Sequence, residues 1–194
     1  GITGVGFEPS VAWIKERSST SSHVLVDAVR GADKGLASNA TTAEENLTAG
    51  EFVSFDSDGF TVDNNNRTNQ SSQTYVGWNW KANGTSSNTD GSITSTVSVG
   101  ATSQQNWFSV VSYTGNGTAG ATVGHGLGGT VPDMIIVKSR DNARDWRVYH
   151  SSLGATYALD LNTTLAVQGP GSGYWNSTEP TSSVFSIGSV TTVN

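Results

Sequence analysis

The chain contains no cysteine, which excludes a disulfide framework, a thiolate metal site and a cysteine nucleophile. Charge is also scarce: charged residues occupy 13% of the 194 positions, and the ten lysines and arginines are scattered along a chain of net charge −6. Phosphate binding needs clustered basic side chains, so this distribution argues against a nucleic-acid partner. No apolar run approaches the roughly 20 residues that cross a bilayer, which argues against insertion into a membrane.

What the chain has in abundance are small and polar residues, with 27 Ser, 24 Thr, 23 Gly and 15 Asn. Helix-forming Leu, Glu, Lys and Ala dominate nowhere, so the composition excludes a helical bundle. Apolar residues still make up 35% and include six Trp, enough for a core of β-branched and aromatic side chains. The composition therefore predicts a folded, all-β protein.

The chain also contains an internal repeat. A shift of 123 positions lays residues 9–43 on residues 132–166 without a gap, and nine of these 35 pairs are identical. Two further inserted residues bring SDGFTV at 57–62 onto SSVFSI at 182–187. Self-similarity at a fixed spacing indicates a repeated structural unit, so the sequence predicts a duplicated β-module.

Two kinds of short run mark the strands. VAWIKER and PDMIIVKSR are apolar runs that follow a Pro and end in charge, and HVLVDAV, TYVGWNWK, NWFSVVSYT and WRVYHSS alternate between apolar and polar faces. Frequent Gly, Asn and Ser between such runs favour antiparallel sheets. We predict two tandem, jelly-roll-like β-sandwiches: a first module at 1–83, a linker and connecting strand region at 84–104, and a second module at 105–194.

Two segments depart from strand character. TTAEENLTAGEF at 41–52 places a Thr cap before two Glu and predicts at most one or two helical turns. KANGTSSNTDG at 81–91 consists mostly of turn-forming residues. The second segment therefore predicts the linker between the modules.

The positions at which the repeat begins and ends predict that each β-module lacks a strand that the other one has. The counterpart of the strand at 74–81 would fall near positions 199–206, and the counterpart of 107–114 would precede residue 1. We expect either that the chain is a piece of a longer array or that neighbouring subunits add strands to open sheet edges.

Seven strings resemble a repeated β-rich domain of tail-fibre and other virion structural proteins of tailed bacteriophages: FEPSVAWIKERSS, VRGADK, SFDSDGFTV, NTDGSITSTVS, SYTGNGTAGATVGHGLG, YHSSLGAT and YWNSTEPTSSVFSIG. The resemblance covers nearly the whole chain. It implies tandem copies of a structural or adhesive domain, with no catalytic residue to transfer.

Motifs for nucleotide or metal binding are weak. Gly115–Gly120 spells GxGxxG after a strand, but no helix pattern follows to meet a pyrophosphate. Asp56, Asp58 and Asp63 are spaced a little like a calcium loop, yet DSDGF lacks the closing Glu and is typical of a hairpin turn. We therefore expect no cofactor and no metal.

Catalytic groups are no better marked. His23, His125 and His150 share no ligand or triad spacing, and no elbow motif singles out a nucleophilic Ser. Glycan cleavage would need two carboxylates about 5–10 Å apart, and the sequence does not select two among sixteen. We expect the protein not to be an enzyme.

Sugar binding is a separate alternative. Tyr174 and Trp175 lie in the Gly-rich, Pro-bounded stretch GPGSGYWNSTEP, where exposed rings would stack on pyranose faces. The competing interpretation is that Trp175 fills the edge of the sandwich. Tyr174 and Trp175 are thus the candidate glycan contacts.

These observations favour a non-enzymatic virion structural protein of a tail fibre, a tail-associated assembly or a capsid-surface fibre. We expect it in the extracellular particle, as a homo-oligomer in contact with other virion proteins and, in host attachment, with a host-surface glycan. The alternatives are a carbohydrate-binding or glycan-cleaving receptor module and a subunit of a cellular surface filament.

Overall fold

The computed structural model describes residues 1–47, 50–100, 107–171 and 173–194, and within these ranges the chain forms β-strands and no helix. The strands are β1 (Ile2–Thr3), β2 (Val11–Glu16), β3 (Val24–Asp27), β4 (Gly31–Leu36), β5 (Glu45–Asn46), β6 (Ser54–Asp56), β7 (Gly59–Thr61), β8 (Tyr75–Trp80), β9 (Asn83–Asn88), β10 (Ser95–Val99), β11 (Ser109–Tyr113), β12 (Ala121–Gly124), β13 (Met134–Val137), β14 (Arg147–His150), β15 (Leu159–Asp160) and β16 (Val184–Ile187). The predicted all-β class is confirmed.

The N-terminal unit, strands β1–β8, consists of two sheets packed on one core. One sheet has the order β5-β4-β3-β2-β8 and the other β1-β7-β6, and all neighbours are antiparallel. Alternation along β2 turns Ala12 and Ile14 inward, where they join Phe60 of β7 in the core. The remaining buried core residues are Val24, Val26, Leu47 and Phe52.

The C-terminal unit, strands β9–β16, has a core of its own. Its sheets are β11-β10-β9, β12-β16 and β13-β14-β15. Their inward side chains share one buried cluster, which contains Ile93, Ala121, Val123, Val137, Tyr149, Ala155, Trp175, Phe185, Ile187 and Val193. Each unit is thus sandwich-like, with apolar faces turned toward each other.

The two units use the same strand pairing at the shift of 123. The compared pairings are all antiparallel: β2 with β3 and β3 with β4 in one unit, β13 with β14 and β14 with β15 in the other. The matched pairs are Val11↔Asp27 with Met134↔His150, Ala12↔Val26 with Ile135↔Tyr149, Trp13↔Leu25 with Ile136↔Val148, Ile14↔Val24 with Val137↔Arg147, and Leu25↔Leu36 with Val148↔Leu159.

Two polar clamps recur at the same shift. Lys15 Nζ donates to the backbone carbonyls one and four residues further on, and Lys138 Nζ does the same. Asn39 Oδ1 accepts a backbone N–H from sixteen residues earlier at 3.0 Å, and Asn162 Oδ1 accepts its equivalent at 2.9 Å. The duplication remains a prediction, which these shared registers and clamps support.

The local predictions at 41–52 and 81–91 need correction. Glu45–Asn46 form β5, whose pairing with β4 satisfies backbone groups that a helix would have used, so the predicted helical turns are wrong for the described part of 41–52. Asn83–Asn88 form β9, paired with β10, where turn chemistry had indicated a loop. Residues 101–104 of the predicted connecting region lie outside the described residues, and the module boundaries remain a prediction.

Candidate functional site

The two units meet at a charged cluster centred on one carboxylate. Glu44, in the segment before β5, accepts hydrogen bonds from Arg140 of the C-terminal unit through Nε and Nη2, both at 2.8 Å. Arg30 of its own unit donates to the same carboxylate through Nη1 at 3.1 Å. The backbone N–H of Glu44 also donates to the carbonyl of Arg140 at 2.8 Å. This bidentate, charge-assisted arrangement joins the units through side chains and backbone.

The electrostatics of Glu44 favour its charged form. Burial by itself would raise the pKa of Glu44, but hydrogen bonds and charges from Arg140 and Arg30 outweigh it and lower the pKa below its ordinary value. Contact with Glu44 correspondingly raises the pKa of Arg140. This role of Glu44 was not predictable from the sequence, because a Thr followed by two Glu is also a helix-capping pattern.

Aromatic contacts cross the same junction. The indole N–H of Trp146, which is buried, donates to the carbonyls of Ala37 and Ala40 in the N-terminal unit, each at 3.1 Å. The ring of Trp80 stacks on Phe108 with centroids 5.8 Å apart and planes 19° apart. We call these charged and aromatic contacts the joint.

The outer side of β13 is an open edge. In the described part of the chain β13 pairs only with β14, whereas its counterpart β2 lies between β3 and β8. The side chains of Met134 and Ile136 are 55% and 39% exposed there. An unpaired edge that carries apolar side chains is a surface prone to strand addition.

An aromatic surface covers the outer face of β2 and β8. Trp13 and Trp78 oppose each other across the strands with ring centroids 5.7 Å apart, and Trp78 is 45% exposed. Trp13 Nε1–H donates to His23 Nδ1 at 2.8 Å, which leaves the proton of the neutral imidazole on Nε2. Burial, helped by the charge of Lys15, lowers the pKa of His23.

The predicted glycan contacts do not present stacking faces. Trp175 is 2% exposed, lies in the C-terminal core and donates its indole N–H to the carbonyl of Tyr157 at 3.1 Å. Tyr174 is half-buried, with its hydroxyl 2.9 Å from Gln168 Oε1 and the guanidinium of Arg147 over its ring at 4.5 Å. Trp175 therefore fills the sandwich, in line with the competing interpretation, because a large indole is more stable buried when its N–H has a hydrogen-bond partner.

The other sequence motifs have structural roles. Gly115–Gly120 is a turn whose N–H groups at Asn116 and Gly117 donate to Asn194 Oδ1, and a strand follows it. Asp58 lies in the β6–β7 hairpin predicted from DSDGF and accepts backbone N–H groups from the N-terminal segment. No group of three or more acidic or histidine side chains in the described residues is arranged to hold a metal.

The histidines other than His23 also stabilise turns. His125 Nδ1 accepts the backbone N–H of Leu127 at 3.1 Å, and His150 Nδ1 accepts that of Ser152 at 3.2 Å. Neither contact brings a second catalytic group to the imidazole.

Comparison with protein families gives one match, to a domain of unknown function, DUF7483, over residues 1–194. The chain belongs to the DUF7483 family. No curated protein and no solved structure matches it. Among the described residues of this DUF7483 domain, no helix is long and apolar enough to cross a membrane.

Proposed function

We propose that this DUF7483 chain is a non-enzymatic structural protein of an extracellular particle, of the tail-fibre or virion-surface kind. Its task is to present rigid β-units and to assemble with copies of itself and with other particle proteins. The observation that carries the proposal is the joint. The resemblance of its strings to phage tail-fibre domains supports the same proposal.

The joint favours a mechanical role because its several contacts hold the two units in one orientation. Interfaces between domains of one chain are commonly small, polar and mobile. Here a bidentate pair between Glu44 and Arg140, a backbone hydrogen bond and the buried indole of Trp146 act at once. A fibre segment needs its β-units held in one orientation by several contacts. An enzyme that exchanges substrate has no such requirement.

The proposal is tested by locating the protein and measuring its rigidity. We expect mass spectrometry of gradient-purified particles from the source culture to find peptides of this chain together with other particle proteins. We expect small-angle scattering of the isolated chain to fit one rigid body, and Arg140→Ala to broaden its distance distribution. Peptides found only in the soluble cell extract, together with a flexible wild-type chain, would contradict the proposal.

Glycan binding is a second candidate, favoured by the aromatic surface and an adjoining groove. The groove has a volume of about 540 Å³ and no charged lining residue. It is lined by Trp13, His23, Ser38, Asn39, Leu161, Asn162, Thr163 and Thr164. A half-buried indole beside amide and hydroxyl groups suits the apolar face and hydroxyls of a neutral sugar.

Saturation-transfer NMR with lactose and maltose tests this second candidate. We expect signal transfer to the sugar ring protons and its loss in Trp78→Ala, because Trp78 supplies the exposed ring face. Val53→Ala is the matched control, since Val53 is an exposed apolar residue that does not line the groove. Equal signals in all three proteins, or none in the wild type, would remove glycan binding from consideration.

A further inference from the structure

We propose that the open edge of β13 is a strand-acceptor site. Its occupant is an antiparallel strand with the side-chain pattern of β8, supplied by another module. The inference rests on the proposed assembly function and goes further by naming the surface, the kind of partner and the register.

The strongest support comes from the equivalent strand in the N-terminal unit. β2 and β13 pair with β3 and β14 in the same register, so Val11 corresponds to Met134 and Trp13 to Ile136. In the N-terminal unit β8 covers the outer side of β2, and Val11 is 6% exposed. The exposed side chain of Met134 occupies the corresponding position on β13, where no strand covers it in the described part of the chain.

Backbone hydrogen bonds define the limits of the site. The N–H of Ser10 donates to the carbonyl of Trp80 at 2.8 Å, and that of Arg17 to Thr74 at 2.7 Å, so these two bonds bracket β8. Positions 10 and 17 correspond to 133 and 140 at the shift of 123. The carbonyl of Asp133 accepts from Ser151, just as that of Ser10 accepts from Ala28. The inner side of β13 is thus bonded as in β2. Its outer side offers edge groups to a new strand as far as Arg140, whose carbonyl already accepts the backbone N–H of Glu44.

The pairing of β8 also specifies the side chains of the occupant. Trp80 opposes Val11 and Trp78 opposes Trp13, with a residue between them directed to the other face. In the same register, the occupant places large apolar side chains opposite Met134 and Ile136. Cross-strand pairs of this kind stabilise a sheet and exclude water from the exposed side chains.

A synthetic peptide of residues 74–82, TYVGWNWKA, labelled with fluorescein, tests the proposal by fluorescence anisotropy with the full chain. We expect saturable binding that Met134→Lys and Ile136→Lys each weaken at least about tenfold, because lysine on an edge opposes strand pairing. Leu165→Lys places the same charge on an exposed apolar residue away from the edge and is expected to leave binding unchanged. Thermal unfolding of each variant checks that the fold is retained.

Two N-methylated peptides separate strand addition from nonspecific adhesion. One carries methyl groups on alternate amides from Tyr75 and the other on alternate amides from Val76. Because an added strand directs every second N–H to its partner, we expect one peptide to lose binding and the other to keep it. Equal behaviour of the two, no binding of the parent peptide, or equal weakening by Leu165→Lys would overturn the proposal.

This result is separable from the test of the proposed function. A chain found on the particle and rigid in scattering, but unable to bind the peptide, would retain the structural role and lose the acceptor site. Peptide binding by a chain found only in the cell extract would retain the acceptor site and remove the particle role.

Discussion

Strands β2 and β13 have the same inner partner and different outer surroundings. Both pair with the next strand in one register. Near the end of each lies a lysine, Lys15 or Lys138, that donates to the carbonyls one and four residues on. β2 also has β8 on its outer side, whereas β13 has no outer neighbour among the strands that the structure describes. Local sequence thus specifies how each strand pairs with the next one along the chain. A segment distant in the chain decides whether the outer side of the strand is covered as well.

The largest loss of stability should come from Trp13→Ala, and Ile136→Ala at the equivalent position of β13 is the substitution to compare with it. Trp13 packs on Trp78 and on Trp80, with centroids 5.7 and 6.4 Å away, so its loss should cost about 2–4 kcal/mol of unfolding free energy. Ile136 is more exposed and should cost less than about 1 kcal/mol. Urea unfolding measures both, and equal losses would mean that the two outer sides do not differ as described.

A second pair of equivalent positions, Arg17 and Arg140, tests the joint. Arg17 is exposed, whereas Arg140 holds Glu44. We expect Arg140→Ala to cost about 1–2 kcal/mol and Arg17→Ala less than about 0.5 kcal/mol. Calorimetry should show the transition of Arg140→Ala broadening or splitting; a single unchanged transition would contradict the role of the joint.

Acid should weaken the contact between Glu44 and Arg140. The pKa of Glu44 is lowered in the folded protein from an ordinary value of 4.5, because the two arginines outweigh the opposite effect of burial. Its contribution is therefore fully present above about pH 4.5 and is lost as the pH falls through the lower folded pKa. Scattering at pH 6 and pH 3 measures this change, with Glu44→Gln as the variant that should no longer respond through this group.

Removal of the asparagine clamp should lower stability by a smaller amount, and by the same amount in each unit. Asn39 and Asn162 accept equivalent backbone N–H groups, so each change to Ala should cost about 1 kcal/mol. Denaturant midpoints of the two variants measure the ratio. Costs that differ severalfold would weaken the case that the clamps are copies of one device.

The parts of the fold that local pattern specifies were predictable from the sequence. The short apolar runs of VAWIKER and MIIV, each preceded by a Pro and ended by charge, marked β2 and β13 as strands that enter a sheet. The shift of 123 also led to matched positions such as Asn39 and Asn162, whose side chains act alike. The same shift led to the expectation that strands are missing. In the described part of the chain β13 has no strand on its outer side, and what would supply one stays a prediction.

Features that depend on distant partners were not predictable. β5 forms in a segment with helix-capping residues because β4 offers it a pairing partner. Trp175 was considered for a sugar, since nothing in GPGSGYWNSTEP shows that it faces Tyr149 and Tyr157. The joint was missed for the same reason: Glu44 and Arg140 are far apart in the chain and meet only in the folded protein.

The smallest expected effect concerns position 23, where the N-terminal unit has His23 and the C-terminal unit has Trp146. Trp13 donates to His23 Nδ1, and burial together with Lys15 lowers the pKa of His23 below 6.5. As the pH falls below 6.5 the unfolded chain binds this proton first, so stability should decline until the folded pKa is passed, by less than about 1 kcal/mol for this half-buried group. Urea unfolding of the wild type and His23→Gln between pH 8 and pH 5 measures the difference. Part of the decline in stability should persist in His23→Gln, because burial also lowers the pKa of His125. If the wild type and the variant lost stability equally, the contact with Trp13 would not be what holds His23 neutral.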